Sequence, residues 1–260
     1  MKPIDLASVV GPLIELARAA AKVALVHYGP STTARRKADG TPVTDADEES
    51  EAVILSGLAQ LTPDIPVVSE EQDASGNRPF AAGDVPQRFW LVDPLDGTRE
   101  FVARNGEFSI NVGLVEDRYP VFGLLLAPVS QTLWCCDGAG QAFRLTSDGE
   151  CSPLRVRARP ATGAMIISSR SHGDDAALDA FASEYPLAKR RRLGSAQKFG
   201  VIATGEADLY PRFGPTSEWD TCAGQAILEA AGGRVVTLAG ARLSYGKSRF
   251  RNPDFIASGG

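Results

Sequence analysis

Two aspartates, Asp93 and Asp96, stand three positions apart directly after an apolar run. The run, residues 89–92, has the composition of a buried strand. Pro94 stiffens the segment that follows it, and Gly97 permits a tight turn. Two carboxylates this close repel each other unless positive charge lies between them. The spacing therefore predicts a strand that ends at Asp93 and a following loop that holds a cation.

Other acidic residues occupy similar positions in the predicted elements. Glu70 follows the apolar segment PVVS, Asp220 stands at the head of the helical segment WDTCAGQAILEAAGG, and Asp47 lies in the first turn of another predicted helix. Strand ends and helix starts on one edge of a sheet are where α/β proteins form ligand sites. Oxygen ligands without His or Cys favour Mg²⁺ over zinc. For Asp47 or Asp220 taken alone, a helix-capping role is the alternative.

Gly97 and Thr98 precede a short helical segment, REFVARN. Backbone N–H groups at a helix start can bind phosphate. The hydroxyl of Thr98 could also orient a water molecule, with Asp47 accepting a proton. A cation site beside a phosphate-binding loop predicts phosphoryl chemistry.

The elements that must position these residues differ between the two parts of the chain. An amphipathic helix that ends near residues 29–30 is followed by a basic loop and a helix over residues 45–60. Residues 108–145 contain short apolar runs separated by turn residues, which indicates an antiparallel meander. Residues 151–160 read as a polar connector, and beyond them predicted strands and helices alternate.

This pattern predicts a layered α/β (α+β) sandwich with an antiparallel sheet in the N-terminal part and a mixed α/β C-terminal part. We expect two subdomains. Residues 1–155 would carry most of the metal ligands, and residues 156–260 would carry Asp220 and a phosphate site on the nucleotide side.

Composition excludes several classes of function. The chain has 260 residues and a net charge of −5, which does not favour nucleic acid as a partner. Its two histidines argue against a His-rich zinc site, and its four cysteines include no CxxC pair, so we expect small buried thiols in a reducing compartment. Charges interrupt the apolar N-terminal helix, so we expect a cytoplasmic protein without an integral membrane segment.

Four segments in this order resemble the inositol monophosphatase-like family of metal-dependent, lithium-sensitive phosphatases: PVTDAD (42–47), VSEE (68–71), DPLDGTREF (93–101) and EWDTCAGQAILEAAGG (218–233). The resemblance implies the layered αβαβα sandwich of that family. It also implies a site with two or three Mg²⁺ ions and hydrolysis by a metal-activated water.

The resemblance further implies a role for each matching residue. Thr98, supported by Asp47 and Glu70, would position the attacking water, and the N–H groups of Gly97 and Thr98 would hold the scissile phosphate. The implied metal ligands are the carboxylates of Glu70, Asp93, Asp96 and Asp220 and the backbone carbonyl of Leu95.

Within the family, the sequence is most similar to the 3'(2'),5'-bisphosphate nucleotidase branch. The pattern GS-x-x-K with a downstream Arg corresponds to Ser195, Lys198 and Arg212, which could bind a second phosphate. His172 would lie near the adenine or ribose, or simply be exposed. The branch implies removal of the 3'-phosphate of adenosine 3',5'-bisphosphate, a by-product of sulfate activation, to give AMP and phosphate.

Two other classes of function stay open from the sequence. One is an inositol-1-phosphate or fructose-1,6-bisphosphate phosphatase on the same scaffold, and the other is a non-catalytic metal- or phosphometabolite-binding protein. A homodimer is possible. In the loop before Asp47, Lys37 could meet phosphate, whereas the run KRRRL (189–193) is expected to be a solvated strand edge and Cys222 and Trp219 are expected to pack.

Overall fold

A computed structural model describes residues 4–80, 84–171 and 173–260. The helices are α1 (Leu6–Val26), α2 (Asp45–Leu61), α3 (Glu70–Ala74), α4 (Thr98–Val102), α5 (Asp175–Ser183), α6 (Gln197–Ala203) and α7 (Cys222–Ala230). The first nine strands are β1 (Arg35–Arg36), β2 (Pro42–Val43), β3 (Val67–Ser69), β4 (Arg88–Asp96), β5 (Ser109–Glu116), β6 (Tyr119–Ala127), β7 (Thr132–Cys136), β8 (Ala142–Leu145) and β9 (Cys151–Pro153). The last five are β10 (Ala164–Ser169), β11 (Leu187–Leu193), β12 (Leu209–Arg212), β13 (Arg234–Thr237) and β14 (Phe255–Ser258).

Two large sheets form the frame of the molecule. The first has seven strands in the order β3-β4-β5-β6-β7-β8-β9, antiparallel except for the parallel pair β3–β4. The second has five strands in the order β11-β10-β12-β14-β13. Its strands β10, β11 and β12 run parallel, and β14 is antiparallel to both of its neighbours. The predicted meander and the predicted mixed C-terminal sheet are both confirmed.

Helices fill three layers around these sheets. Helices α1 and α2 pack on the outer face of the seven-stranded sheet, where Leu13 and Ile54 meet Trp90. Helices α6 and α7 lie between the sheets in the largest core cluster, and α5 covers the outer face of the five-stranded sheet through Leu178 and Phe181. The result is the expected αβαβα sandwich. In β4, alternate residues serve different cores, which explains its continuous apolar sequence.

Strand β4 does not end at Asp93, as the sequence predicted, but continues to Asp96. Asp93 pairs with Asn111 and Asp96 pairs with Ser109, so β4 has one residue more than β5 in this interval. This is a β-bulge, and it accommodates Pro94, which has no N–H group for the ladder. The two aspartates are therefore held by a sheet rather than by a free loop.

The predicted connector 151–160 is also wrong in part. Residues Cys151–Pro153 form β9, the edge strand of the seven-stranded sheet, and the thiol-bearing residue Cys151 is exposed rather than buried. Strand β14 had no prediction, because the sequence around it lacks a clear alternation. It pairs between β12 and β13 and completes the second sheet. The two-subdomain division at residues 155/156 stays a prediction.

Other local predictions are confirmed. The basic run is the outer strand β11, where residues 189–192 are exposed. Cys222 and Trp219 are buried in the core between the sheets. Among the described residues, no helix combines the length and the apolar character that a bilayer span requires.

Candidate metal and phosphate site

A cavity of about 280 Å³ lies where the loops of both sheets meet. Of the residues singled out from the sequence, Asp47 lies just behind its wall, and His172 lies outside the described residues. The others line the cavity: Glu70, Asp93, Leu95, Asp96, Gly97, Thr98, Ser195, Lys198, Arg212 and Asp220.

Three carboxylates converge in this cavity. Glu70, Asp93 and Asp220 each offer an oxygen within 4.8 Å of the others. Glu70 begins α3 directly after β3, Asp93 lies before the bulge of β4, and Asp220 precedes α7 by two residues, with its carboxylate accepting the N–H of Ser217 at 2.8 Å. The helix α7 thus begins later than predicted.

The electrostatics of Asp93 and Asp220 indicate a deficit of positive charge around these two carboxylates. Burial, followed by repulsion from Glu70, Asp96 and Asp220, raises the pKa of Asp93 well above its usual value. Burial and the charges of Asp96 and Glu70 raise the pKa of Asp220 to about 8. A buried cluster of mutually repelling carboxylates is stabilised by a bound cation, and an all-oxygen donor set suits a hard divalent ion such as Mg²⁺. These residues could therefore hold a metal ion.

Asp96 is held differently from the other three. Its Oδ2 accepts the Nδ2–H of Asn111 at 3.2 Å and the N–H of Ala196 at 2.6 Å. Burial raises its pKa to about 6, although Lys198 and these hydrogen bonds act in the opposite direction. Since Ala196 is the N-cap of α6, the amide at the start of that helix is bonded to Asp96. The sequence had suggested this helix start as a place for a second phosphate.

Thr98 and Asp47 form a hydrogen-bonded pair at the side of the acidic cluster. The Thr98 Oγ1–H donates to Asp47 Oδ1 at 3.0 Å. The other oxygen, Asp47 Oδ2, accepts the N–H of Thr44 at 2.8 Å and its hydroxyl at 2.6 Å, so Asp47 closes a capping box at the start of α2. Burial raises the pKa of Asp47 despite these bonds. Asp47 therefore caps α2 with one carboxylate oxygen and contacts Thr98 with the other.

The backbone before α4 depends on Gly97. This residue has φ +98°, in the left-handed region, and a Cβ there would lie 3.3 Å from the carbonyl oxygen of Glu107. The glycine therefore permits the turn that brings the Thr98 side chain beside Asp47. Gly97 and Thr98 both line the cavity.

The three residues of the suggested second-phosphate site come from the C-terminal part of the chain: Ser195 follows β11, Lys198 lies in α6 and Arg212 ends β12. Ser195 has a left-handed backbone with φ +49°, and Arg212, the last residue of β12, donates from Nη2 to the carbonyl of Pro215 at 2.6 Å. The ammonium of Lys198 is buried and donates to the carbonyls of Leu193 and Ser195. Burial lowers the pKa of Lys198 to about 8, although Asp96 acts against this.

Sequence reasoning missed most of the contacts of Lys37. Its ammonium lies 2.6 Å from carboxylate oxygens of both Glu70 and Glu71. Burial disfavours the charged amine, but the two carboxylates outweigh it and raise the pKa of Lys37. Burial and the neighbouring Glu70 raise the pKa of Glu71 to about 8. The signal available from sequence was one lysine in a basic loop, which does not indicate its partners.

Arg99, Glu100 and Arg251 also line the cavity and were not singled out from the sequence. Arg99 and Glu100 follow the DGT segment in α4, so their sequence neighbourhood was a usable signal. Arg251 forms an isolated β-bridge with Ser217, a pairing that no local pattern indicates.

The fold and the cavity define a layered α/β protein with an acidic, metal-compatible centre that is lined by several cationic side chains as well. The chain belongs to the inositol monophosphatase family, whose model matches residues 5–257. The chain is therefore a phosphatase.

Two curated relatives are similar over most of their length. The 3'(2'),5'-bisphosphate nucleotidase CysQ of Salmonella typhimurium is 44% identical over 222 residues, covering 85% of this chain and 86% of the relative. The protein of the same name from Escherichia coli K12 is 42% identical over 224 residues, covering 85% and 87%. Among solved structures, CysQ from Bacteroides thetaiotaomicron, a bacterial member of the inositol monophosphatase family, matches with a TM-score of 0.80, 30% identity and 97% coverage of both chains.

Proposed function

We propose that this protein is a Mg²⁺-dependent 3'(2'),5'-bisphosphate nucleotidase that hydrolyses the 3'-phosphate of adenosine 3',5'-bisphosphate to AMP and phosphate. The observation that carries the proposal is one cavity that is lined both by acidic and by basic side chains. Glu70, Asp93 and Asp220 (the acidic trio) line this cavity, and Thr98 lines it with Asp47 hydrogen-bonded behind it. Ser195, Lys198 and Arg212 line the same cavity. The relatives named as nucleotidases support the choice of substrate.

Glu70, Asp93, Asp96 and Asp220, with the carbonyl of Leu95, would hold two or three Mg²⁺ ions. When bound, Mg²⁺ supplies positive charge that stabilises the phosphoryl group and makes water a stronger nucleophile at neutral pH. The carboxylates of this chain would fix the position of that charge. Glu70 begins α3, Asp93 lies in the paired strand β4, and the carboxylate of Asp220 is held by the N–H of Ser217.

Thr98 and Asp47 would orient the attacking water and receive its proton. The Thr98 hydroxyl donates its proton to Asp47 Oδ1, so its oxygen lone pairs remain to accept a hydrogen bond from water. Because the pKa of Asp47 is raised by burial, its carboxylate is a better proton acceptor than an exposed aspartate. The N–H groups of Gly97 and Thr98 would hold the scissile phosphate.

Lys198 and Arg212 would bind the phosphate that is not cleaved. The amine of Lys198 has three N–H donors and uses two of them on carbonyls, which leaves one for an anion. An inositol monophosphate has no second phosphate for Lys198 and Arg212 to bind. We therefore expect these two side chains to determine a preference for bisphosphorylated nucleotides.

The first test is phosphate release with Mg²⁺ from adenosine 3',5'-bisphosphate, inositol 1-phosphate and fructose 1,6-bisphosphate at equal concentration. We expect the nucleotide to be preferred by about tenfold or more, the effect of one charge-assisted hydrogen bond. The double variant Lys198→Ala/Arg212→Ala should lose that preference. The matched control is Lys189→Ala/Arg191→Ala, which removes two exposed cations from β11.

Each alternative has its own outcome. A preference for inositol 1-phosphate or the sugar bisphosphate, unaffected by the double substitution, would replace the nucleotidase with the other phosphatases. Mg²⁺ binding by calorimetry without turnover of any phosphomonoester would favour a binding protein.

A further inference from the structure

Cationic side chains that line the cavity differ in what already holds them. Lys37 lies between two carboxylates, Lys198 is buried against two carbonyls, and Arg212 is buried and donates to the carbonyl of Pro215. In contrast, Arg99 and Arg251 are exposed. The last two are therefore the cations most accessible to a ligand among the described residues that line the cavity.

Arg99 is the less engaged of these two arginines. Arg251 donates to the hydroxyl of Ser217 at 3.1 Å and interacts electrostatically with Asp39. Arg99 donates from Nη1 to the backbone carbonyl of Ser171 at 3.3 Å, and within the described ranges it forms no ion pair. A single long hydrogen bond to a neutral oxygen leaves most of the five guanidinium N–H donors for other partners.

The side chain of Arg99 connects α4 with the five-stranded sheet. Arg99 follows Thr98 in α4, but its side chain reaches Ser171, two residues after the end of β10. Strands β10, β11 and β12 are parallel, so their carboxyl ends lie at the same edge of the sheet. Ser195 follows β11 there, and Arg212 ends β12.

We propose that Arg99 binds the non-scissile phosphate of the nucleotide and is a specificity-determining residue of this enzyme. The inference rests on the proposed function and adds a residue to its second-phosphate site. A guanidinium stays fully charged at any working pH and can donate two parallel hydrogen bonds to a phosphate. Lys198 is buried close to Asp96 and Asp220, so part of its charge already offsets these carboxylates, and an exposed guanidinium would add positive charge for a phosphate dianion.

The test compares two substrates that differ only in the second phosphate, adenosine 3',5'-bisphosphate and adenosine 3'-monophosphate, in the full-length protein with Mg²⁺. For Arg99→Ala we expect a rise in KM for the bisphosphate of about tenfold or more, with kcat little changed. Activity on the monophosphate should change by less than about twofold, within the usual effect of a surface substitution. Arg99→Lys should recover part of the loss, and the bisphosphate KM of Arg99→Ala should depend less on salt.

Two controls separate substrate binding from a purely structural role. Arg104→Ala removes an exposed arginine just after α4 that does not line the cavity, and should leave both substrates unaffected. Ser171→Ala removes the hydroxyl that bonds to Glu100 but keeps the carbonyl that Arg99 contacts, and should also leave the substrate preference unchanged.

Other results would overturn the inference. An equal loss on both substrates in Arg99→Ala would show that Arg99 only positions the loop after β10. The same loss of preference in Ser171→Ala would assign the preference to that loop instead of to the Arg99 charge. An unchanged preference in Arg99→Ala, together with its loss in Lys198→Ala/Arg212→Ala, would exclude Arg99 and keep the proposed function. A wild-type enzyme without preference for the bisphosphate would overturn both.

Discussion

At the scale of single residues, the acidic trio concentrates negative charge at a cost in stability. Glu70, Asp93 and Asp220 bring three carboxylate oxygens within 4.8 Å of one another, and burial and repulsion raise the pKa of both Asp93 and Asp220. Such an arrangement lowers the stability of the metal-free fold, and a cost of this kind is common at functional sites. The metal binding proposed above would account for the convergence of acidic residues from the start of α3, the strand β4 and the segment before α7 on one cavity.

Asp93→Asn tests this compromise. The substitution keeps the side-chain volume and the oxygen that accepts the N–H of Leu95, but removes one charge. We expect phosphate release to fall by about three orders of magnitude or more. In metal-free protein the thermal unfolding midpoint should not fall, because one repelling charge is lost.

The matched control is Asp64→Asn, which neutralises an exposed aspartate and should leave activity and unfolding unchanged. Near-wild-type turnover of Asp93→Asn at saturating Mg²⁺ would contradict the assignment of Asp93 as a metal ligand.

At the scale of elements, the hairpin of β1 and β2 supplies a cation to the acidic cluster. Lys37 stands at the start of the tight turn of this hairpin, where its N–H donates to the carbonyl of Thr41 at 2.8 Å. Asp39 closes the turn by accepting the N–H and the hydroxyl of Thr41. The ammonium of Lys37 is thereby placed between Glu70 and Glu71, where it partly neutralises carboxylates in the absence of other cations.

Lys37→Met should expose the repulsion that this hairpin relieves. We expect metal-free protein to lose about 1–3 kcal/mol of unfolding free energy, less than for a fully buried pair because Glu70 is partly exposed. Saturating Mg²⁺ should reduce the difference from wild type, since a bound cation replaces the lost charge. Urea unfolding with and without Mg²⁺ measures both values.

Arg36→Met is the control, because it removes an exposed charge from the same hairpin without reaching either glutamate. An equal destabilisation of Lys37→Met in both conditions would indicate a packing effect rather than charge compensation.

At the scale of the whole molecule, α7 joins the two sheets and positions Asp220. The helix packs directly on β5 and β6 of the seven-stranded sheet, where two glycines leave room for its backbone. A Cβ on Gly123 would overlap the carbonyl of Ala223, and one on Gly113 would lie 2.5 Å from Cys222 Sγ. The position of Asp220 relative to Asp93 thus depends on this close approach.

Gly123→Ala should therefore affect stability and activity together. Overpacking against a helix backbone is expected to destabilise the fold by about 1–3 kcal/mol, and a displaced α7 should lower turnover through Asp220. Thermal unfolding and phosphate release measure the two effects. Gly11→Ala, whose Cβ would meet nothing within 4 Å, should be neutral or slightly stabilising. Wild-type unfolding of Gly123→Ala would contradict the packing argument.

The sequence by itself determined the fold class, the family and the residue types available for chemistry. Hydrophobic periodicity and turn residues are local properties, so the meander, the later α/β alternation and the helix over residues 45–60 could be predicted closely. Four motifs in a fixed order indicated the family. Where the pattern was weak, as at β9 and β14, local reasoning failed because pairing with distant strands decides such segments.

Only the tertiary structure decided which of these residues meet. The convergence of Glu70, Asp93 and Asp220, the bond from the amide of Ala196 to Asp96, and the reach of Arg99 to Ser171 each join separate elements. These distances depend on how two sheets and the helices between them pack, and that packing is a sum of long-range contacts that no local pattern contains. The sequence named the ligands that could act together, and the packing of α7 between the sheets brought them into one cavity.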